Sequence, residues 1–131
     1  MTTKAASYVP IKTRIDVSVR KRWVQESKEQ FSSKLPLIIE PNLQELDSQA
    51  IPGLHNPKFL FPAEFSCAQV LTVLRKKLDL QQTESLLLFV EGRGRYRLLR
   101  PQQRLQDVFS AYVSKEDGML YLVYAKENIF G

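Results

Sequence analysis

The residue with the plainest chemical use is the last one, Gly131, which follows Phe130 in a short tail, Glu127 to Gly131, immediately after an apolar segment. Glycine places no side chain beside its carboxylate, so an end of this kind can enter a narrow active site and be activated there. Other reactive groups stand apart from one another. Cys67 opens an amphipathic stretch, where a helix start would favour a thiolate, yet it falls on the apolar stripe and reads as a buried thiol. His55 is the single histidine, in a loop, so neither a Cys/His dyad nor a histidine metal cluster is expected, and no cofactor is implied. Glu91-Gly92-Arg93-Gly94 resembles the beginning of a dinucleotide loop, but Arg97 stands where a third glycine belongs, and the segment reads as a turn. Arg93, Arg95, Arg97 and Arg100 with Tyr96 could hold nucleic acid by charge and stacking. The plainer reading is a solvated hairpin, and without a groove-reading motif no specific nucleic acid is expected.

The elements that position these groups follow from hydrophobic spacing. VRKRWVQESKEQF, from Val19 to Phe31, carries a thin apolar stripe and predicts a helix packed by one narrow face. LPLIIE, Leu35 to Glu40, predicts a strand buried on both faces, and KFLF, Lys58 to Phe61, a second strand closed by Pro62. Residues 42–57 between them, punctuated by Pro52, Gly53, Asn56 and Pro57, read as a long loop. From Ser66, Cys67, Val70, Leu71, Val73, Leu74 and Leu78 repeat at the spacing of a buried helix face, with Ser66 and Gln69 as a capping box. LLLFV, Leu86 to Val90, predicts a third strand. Leu105, Val108, Phe109 and Tyr112 predict another helix, and Met119 to Ala125 the last strand. The order is helix, strand, strand, helix, strand, helix, strand: an α+β domain with a four-stranded mixed sheet, covered on one face by helices.

With 131 residues the chain holds one ordinary domain. Its longest apolar run, Met119 to Ala125, is seven residues, against roughly 20 for a membrane span. The start, MTTKAASYVP, has no apolar stretch of signal-peptide length, and one cysteine allows no internal disulfide, so a reducing, cytosolic setting is expected. The net charge of +5 is that of residues 1–35, where eight Lys or Arg face three acids. That excess suits an anionic surface and points to membrane contact by the N-terminal segment. Residues 1–18, mixed in composition around Pro10, read as a flexible N-terminal arm, and 19–131 as the folded domain with its tail at 126–131.

Three blocks in order carry a family resemblance. RKRWVQESKEQFSSKLPLIIE, KFLFPAEFSCAQVLTVLRKKLDL with LLLFV, and GMLYLVYAKENIFG resemble the autophagy-related protein eight family, which includes the GABA-A receptor-associated protein and the microtubule-associated light chain proteins. The resemblance implies a ubiquitin-like β-grasp with two extra N-terminal helices and a role as a modifier, not a catalyst. It implies that Gly131, presented by a tail containing Asn128 and Phe130, is activated by an E1-like enzyme, carried by an E2-like enzyme and joined to phosphatidylethanolamine, with a processing cysteine protease as a further partner. The chain would then be cytoplasmic with a lipid-conjugated pool on autophagosomal membranes. An unconjugated ubiquitin-like adaptor is the alternative.

The same resemblance implies docking of short aromatic-x-x-aliphatic peptides from cargo receptors by strand addition along Lys58, Phe59, Leu60 and Phe61. Pro36, Ile38, Leu60 and Met119 would line the aromatic pocket, and Phe61, Pro62, Phe65, Val70, Val73 and Lys77 the aliphatic one. Two positions depart from the family pattern: Ser27 brings a hydroxyl where an apolar wall is usual, and Trp23 stands where an acid is usual. The loop at 42–57, the arginine-rich turn and Lys126 differ as well.

Overall fold

A computed structural model describes residues 8–127. The elements in chain order are α1 (Ile11–Arg14), α2 (Val17–Gln30), β1 (Lys34–Pro41), α3 (Leu43–Asp47), β2 (Lys58–Pro62), α4 (Cys67–Leu78), β3 (Leu87–Gly92), β4 (Arg95–Leu98), α5 (Leu105–Tyr112) and β5 (Leu120–Ala125). Among the described residues five strands form one sheet in the order β2-β1-β5-β3-β4. Only the central pair, β1 with β5, runs parallel; its crossover contains α3, β2, α4, β3, β4 and α5.

Strand alternation divides the sheet into two faces. Leu37, Ile39, Leu88, Val90, Leu120, Leu122 and Tyr124 point into the main core, closed by Val70, Leu74 and Leu78 of α4 and by Leu105 and Val108 of α5. At about 1.5–3 kcal/mol per buried aliphatic side chain, this layer holds the domain together. Ile38, Met119 and Tyr121 point the other way, onto Ile11 of α1 and Val24 of α2. The helices therefore cover both faces, not one.

So few apolar side chains make the second layer that α2 needs a polar anchor. Arg20, 4% exposed, reaches from α2 to Asp117, to Glu116 Oε1 at 3.2 Å and to the Tyr121 hydroxyl at 3.2 Å, while its Nε donates to the Ile15 carbonyl at 3.0 Å. Burial draws the guanidinium pKa down, and the bonds to Asp117, Tyr121 and Glu116 outweigh it and hold it above its ordinary value. Removing one partner of such a buried pair costs about 3–5 kcal/mol, because the other charge is left stranded.

Three further differences from the sequence reading have local causes. Within the presumed arm, residues 8–18 hold α1 and the start of α2: Ile11 is 2% exposed, and its N–H and the Tyr8 hydroxyl both donate to Glu40 Oε2, at 2.9 and 2.6 Å. Within the presumed loop, Asn42 caps the five-residue α3 and Ile51 enters the core. The fifth strand arises where Arg93 and Gly94, at φ 54° and 77°, turn the chain back so that Phe89 pairs with Leu98 and Gly92 with Arg95.

Candidate functional site

Among the described residues β2 is an edge strand, bonded on one side only, to β1. The N–H of Ile39 donates to the Pro57 carbonyl at 2.9 Å. With Leu37 opposite Phe59 and Leu35 opposite Phe61, antiparallel alternation makes those the hydrogen-bonded pairs. The intervening residues, Lys58 and Leu60, therefore turn their backbone groups outward. Proline placement agrees: Pro36, which has no N–H, lies opposite Leu60, and Pro62 lies opposite Lys34. The Lys58 N–H already has an occupant, the side-chain oxygen of Asn56 at 3.0 Å.

Beside this edge lies a cavity of about 450 Å³ between α2 and the β1–β2 ribbon. Trp23, Ser27, Phe31, Pro36, Leu60 and Met119 are among its walls. Of the four residues expected at the aromatic pocket, three line it. Ile38 does not: it is 0% exposed and packs on the α1–α2 layer beneath. Ser27 is less polar toward the cavity than its identity suggests, because its hydroxyl donates to the Trp23 carbonyl one helical turn back, at 2.7 Å. Trp23 takes the Lys58 ammonium over its ring, 4.0 Å from the centroid, so the aromatic face is the partner of that lysine.

On the opposite face Phe59 stacks on Phe61 at 5.3 Å and Phe61 on Phe65 at 5.5 Å. Phe59, Phe65 and Val73 are half-buried, as is Pro62, and Lys77 stands with its ammonium 5.9 Å from the Phe59 ring. Phe61 and Val70, 5% and 0% exposed, belong to the core under this surface. Cys67 is in that core too, where burial pushes its thiol up to about 11. That is the environment of a packing residue.

The root of the tail is held at the other end of β5. Glu45, 6% exposed, accepts from the N–H groups of Lys126 at 2.7 Å and Glu127 at 3.1 Å, one on each carboxylate oxygen. Lys126 Nζ pairs with Glu84 at 2.9 Å, and its carbonyl accepts from the Ser85 hydroxyl at 3.0 Å. Sequence reasoning missed Glu45. A signal was present, since Asn42 followed three residues later by Glu45 is a helix-start pattern, and Asn42 Oδ1 does accept from the Glu45 N–H at 3.0 Å. The carboxylate, however, does not return to the Asn42 N–H, which donates to the Tyr124 carbonyl at 2.9 Å; it goes to the tail. Asn128, Phe130 and Gly131 lie outside the described residues.

The family model described as "Autophagy protein Atg8 ubiquitin like" matches residues 19–131. The chain belongs to the Atg8 family. It is similar to human "Microtubule-associated protein 1 light chain 3 gamma", with 29% identity over 128 residues, 98% of this chain and 82% of the human protein. "Autophagy-related protein 8A" of Oryza sativa subsp. indica is 30% identical over 104 residues, 79% of this chain and 80% of the rice protein. The crystal structure of Trypanosoma brucei ATG8 superposes with a TM-score of 0.77 at 26% identity, over 95% of this chain and all of the other. This Atg8-family protein is thus a ubiquitin-like modifier of autophagy, and its five-stranded sheet with N-terminal helices is the Atg8 form of that fold. No helix among its described residues is long and apolar enough to cross a membrane.

Proposed function

We propose that this Atg8-family chain is conjugated through Gly131 to phosphatidylethanolamine and, once anchored, docks cargo-receptor peptides on the β2 edge. The observation that carries the reading is that the family match continues through Phe130 to Gly131. The chemistry is acyl transfer: an E1-like enzyme activates the carboxylate, its thioester passes to an E2-like enzyme, and the lipid amine displaces the thiol. A cysteine protease is the partner that would expose the glycine in a longer precursor. One acyl chain anchors only marginally, whereas a two-chain phospholipid at about 0.8 kcal/mol per buried methylene holds a protein on its bilayer. A cytoplasmic pool and a pool on autophagosomal membranes follow from that exchange.

Docking uses the outward N–H and C=O of Leu60 for a peptide strand, the Pro36, Leu60 and Met119 cavity for its aromatic side chain, and the Phe59, Phe65 and Val73 surface for its aliphatic one. Asn56 must release the Lys58 N–H for the peptide to pair there. Lys58 and Lys77 meet acids flanking the motif. The test is incubation with the E1-like and E2-like enzymes, ATP and phosphatidylethanolamine vesicles, with the thioester and the lipid adduct separated on a gel. The full chain should form both. A chain lacking Gly131 that forms them equally would refute the conjugation reading.

A further inference from the structure

A second cavity, of about 620 Å³, lies at the end of the sheet away from the tail, under the β3–β4 hairpin. The fold gathers four cations into its wall: Lys12 from α1, Arg93 and Arg95 from the hairpin, and Lys115 from the loop after α5, with one acid, Glu91. Lys12 comes from the N-terminal basic segment and the arginines from the hairpin, 81 or more residues later in the chain. Their meeting is a product of the fold, and it leaves a lining of formal charge +3.

The cavity is built, not draped. Gly92 sits so close to α5 that a Cβ there would meet the Tyr112 ring at 2.7 Å, which fixes the hairpin against the helix. The left-handed pair Arg93 and Gly94 sets a two-residue turn of the kind that aligns its flanking strands. The Arg93 guanidinium stands 5.4 Å over the Tyr112 ring, and Lys12 Nζ is 4.3 Å over the Tyr121 ring and 3.2 Å from Glu91 Oε1. Glu40, whose charge also reaches Tyr96, is taken up by bonds from Tyr8 and Ile11. The four cations are solvent-exposed along a concave wall, where charges of one sign raise the local concentration of an anion that can bridge them.

We propose that this cavity binds a small polyphosphorylated anion, with Arg93 and Arg95 as the planar forks that grip phosphate oxygens and Lys12 and Lys115 as point charges. Guanidinium forks match phosphate geometry better than they match a diffuse acidic surface. The volume is in the range of small-ligand sites, roughly 300–1,000 Å³. The anion can be a free solute or a phosphorylated lipid headgroup. Geometry favours the free solute: Leu87 pairs with Ala125 at the tail end of β3, and Gly92 lies at the other end, about 17 Å away along the strand. A tail-anchored chain thus carries this cavity away from its anchor. The cavity itself does not depend on Gly131; only the preference for a free solute rests on the proposed anchoring there.

The test is calorimetric titration and amide NMR of the full chain with inositol hexakisphosphate, beside flotation with phosphatidylcholine vesicles with and without phosphatidylinositol bisphosphate. Arg93→Gln with Arg95→Gln is compared with Lys21→Gln with Arg22→Gln on the exposed face of α2, each first checked for an unchanged melting temperature. Binding should weaken by about tenfold or more in the hairpin pair and little in the α2 pair, and amide shifts should centre on 92–96 and 112–115. Binding to the free anion supports the solute as source; binding to the bisphosphate vesicles alone supports the site and assigns the headgroup. No binding in either arm overturns the proposal. So does equal weakening by both pairs, which would mean charge attraction without a site.

Discussion

Glu45 gives two carboxylate oxygens to two successive amides, those of Lys126 and Glu127, from a position almost closed to water. Hydrogen bonds to a charged acceptor contribute about 1.5–3 kcal/mol each by deletion, and they do not add fully. Glu45→Ala should therefore destabilise the fold by about 2–4 kcal/mol in denaturant unfolding, with upfield movement of the Lys126 and Glu127 amide protons; Glu45→Gln, which keeps one acceptor, should lose less. Unchanged amide shifts in Glu45→Ala would show that the tail root is held by other contacts. The residue was hidden in the sequence because its partners are backbone amides 81 and 82 positions away, and backbone groups leave no mark in a side-chain pattern. Trp23 and Ser27 show the reverse case. Their identities mark a departure from the family, but only the bond of Ser27 to the Trp23 carbonyl and the seat of Lys58 on the indole reveal what the departure does.

The β2 edge can be tested with a substitution that sheet geometry makes selective. Because the Leu60 N–H turns away from β1, Leu60→Pro removes a donor needed by an added strand and none used by the sheet. Affinity for an acidic aromatic-x-x-aliphatic peptide should fall by about tenfold beyond the loss seen in Leu60→Ala, which removes only the side chain, roughly the net value of one hydrogen bond. Equal affinities in the two variants, by calorimetry with unchanged melting temperature, would refute strand addition at this residue. Elements with a strong period were legible: α4, with its capping box and apolar face, and the unbroken apolar strands β1, β3 and β5. Those that depend on distant partners were not. β4 is Arg-Tyr-Arg-Leu, mostly exposed, and exists because the turn at Arg93 and Gly94 lays it beside β3. α1 and α3, of four and five residues, are too short to show a repeat.

On the scale of the whole molecule, the sheet is clad on both sides, and several tyrosines seal the layers. Tyr8, Tyr121 and Tyr124 are all held above the ordinary phenol range, each first by burial, with Glu40 adding for Tyr8, Asp117 for Tyr121 and nearby Tyr8 for Tyr124. Folded phenols that keep their protons more tightly than unfolded ones contribute stability that is complete below about pH 10 and lost as pH rises above it. Of the five tyrosines, these three should ionise in ultraviolet titration together with the loss of circular dichroism. Ionisation of all five near pH 10 in a protein that stays folded would contradict the packing described. The parts of the proposed site follow the same division by scale: the strand edge and Gly131, on which the proposed docking and conjugation rest, come from family resemblance, whereas the hold on the tail and the cationic cavity required residues far apart in sequence to meet. The central claim, that this Atg8-family chain is a lipid-conjugated modifier, is tested most directly by the intact mass of the protein recovered from autophagosomal membranes, followed by fragmentation of its C-terminal peptide. The mass should be raised by phosphatidylethanolamine less water, with the adduct on the carboxylate of Gly131; unmodified protein on those membranes, or the adduct on another residue, would contradict that claim.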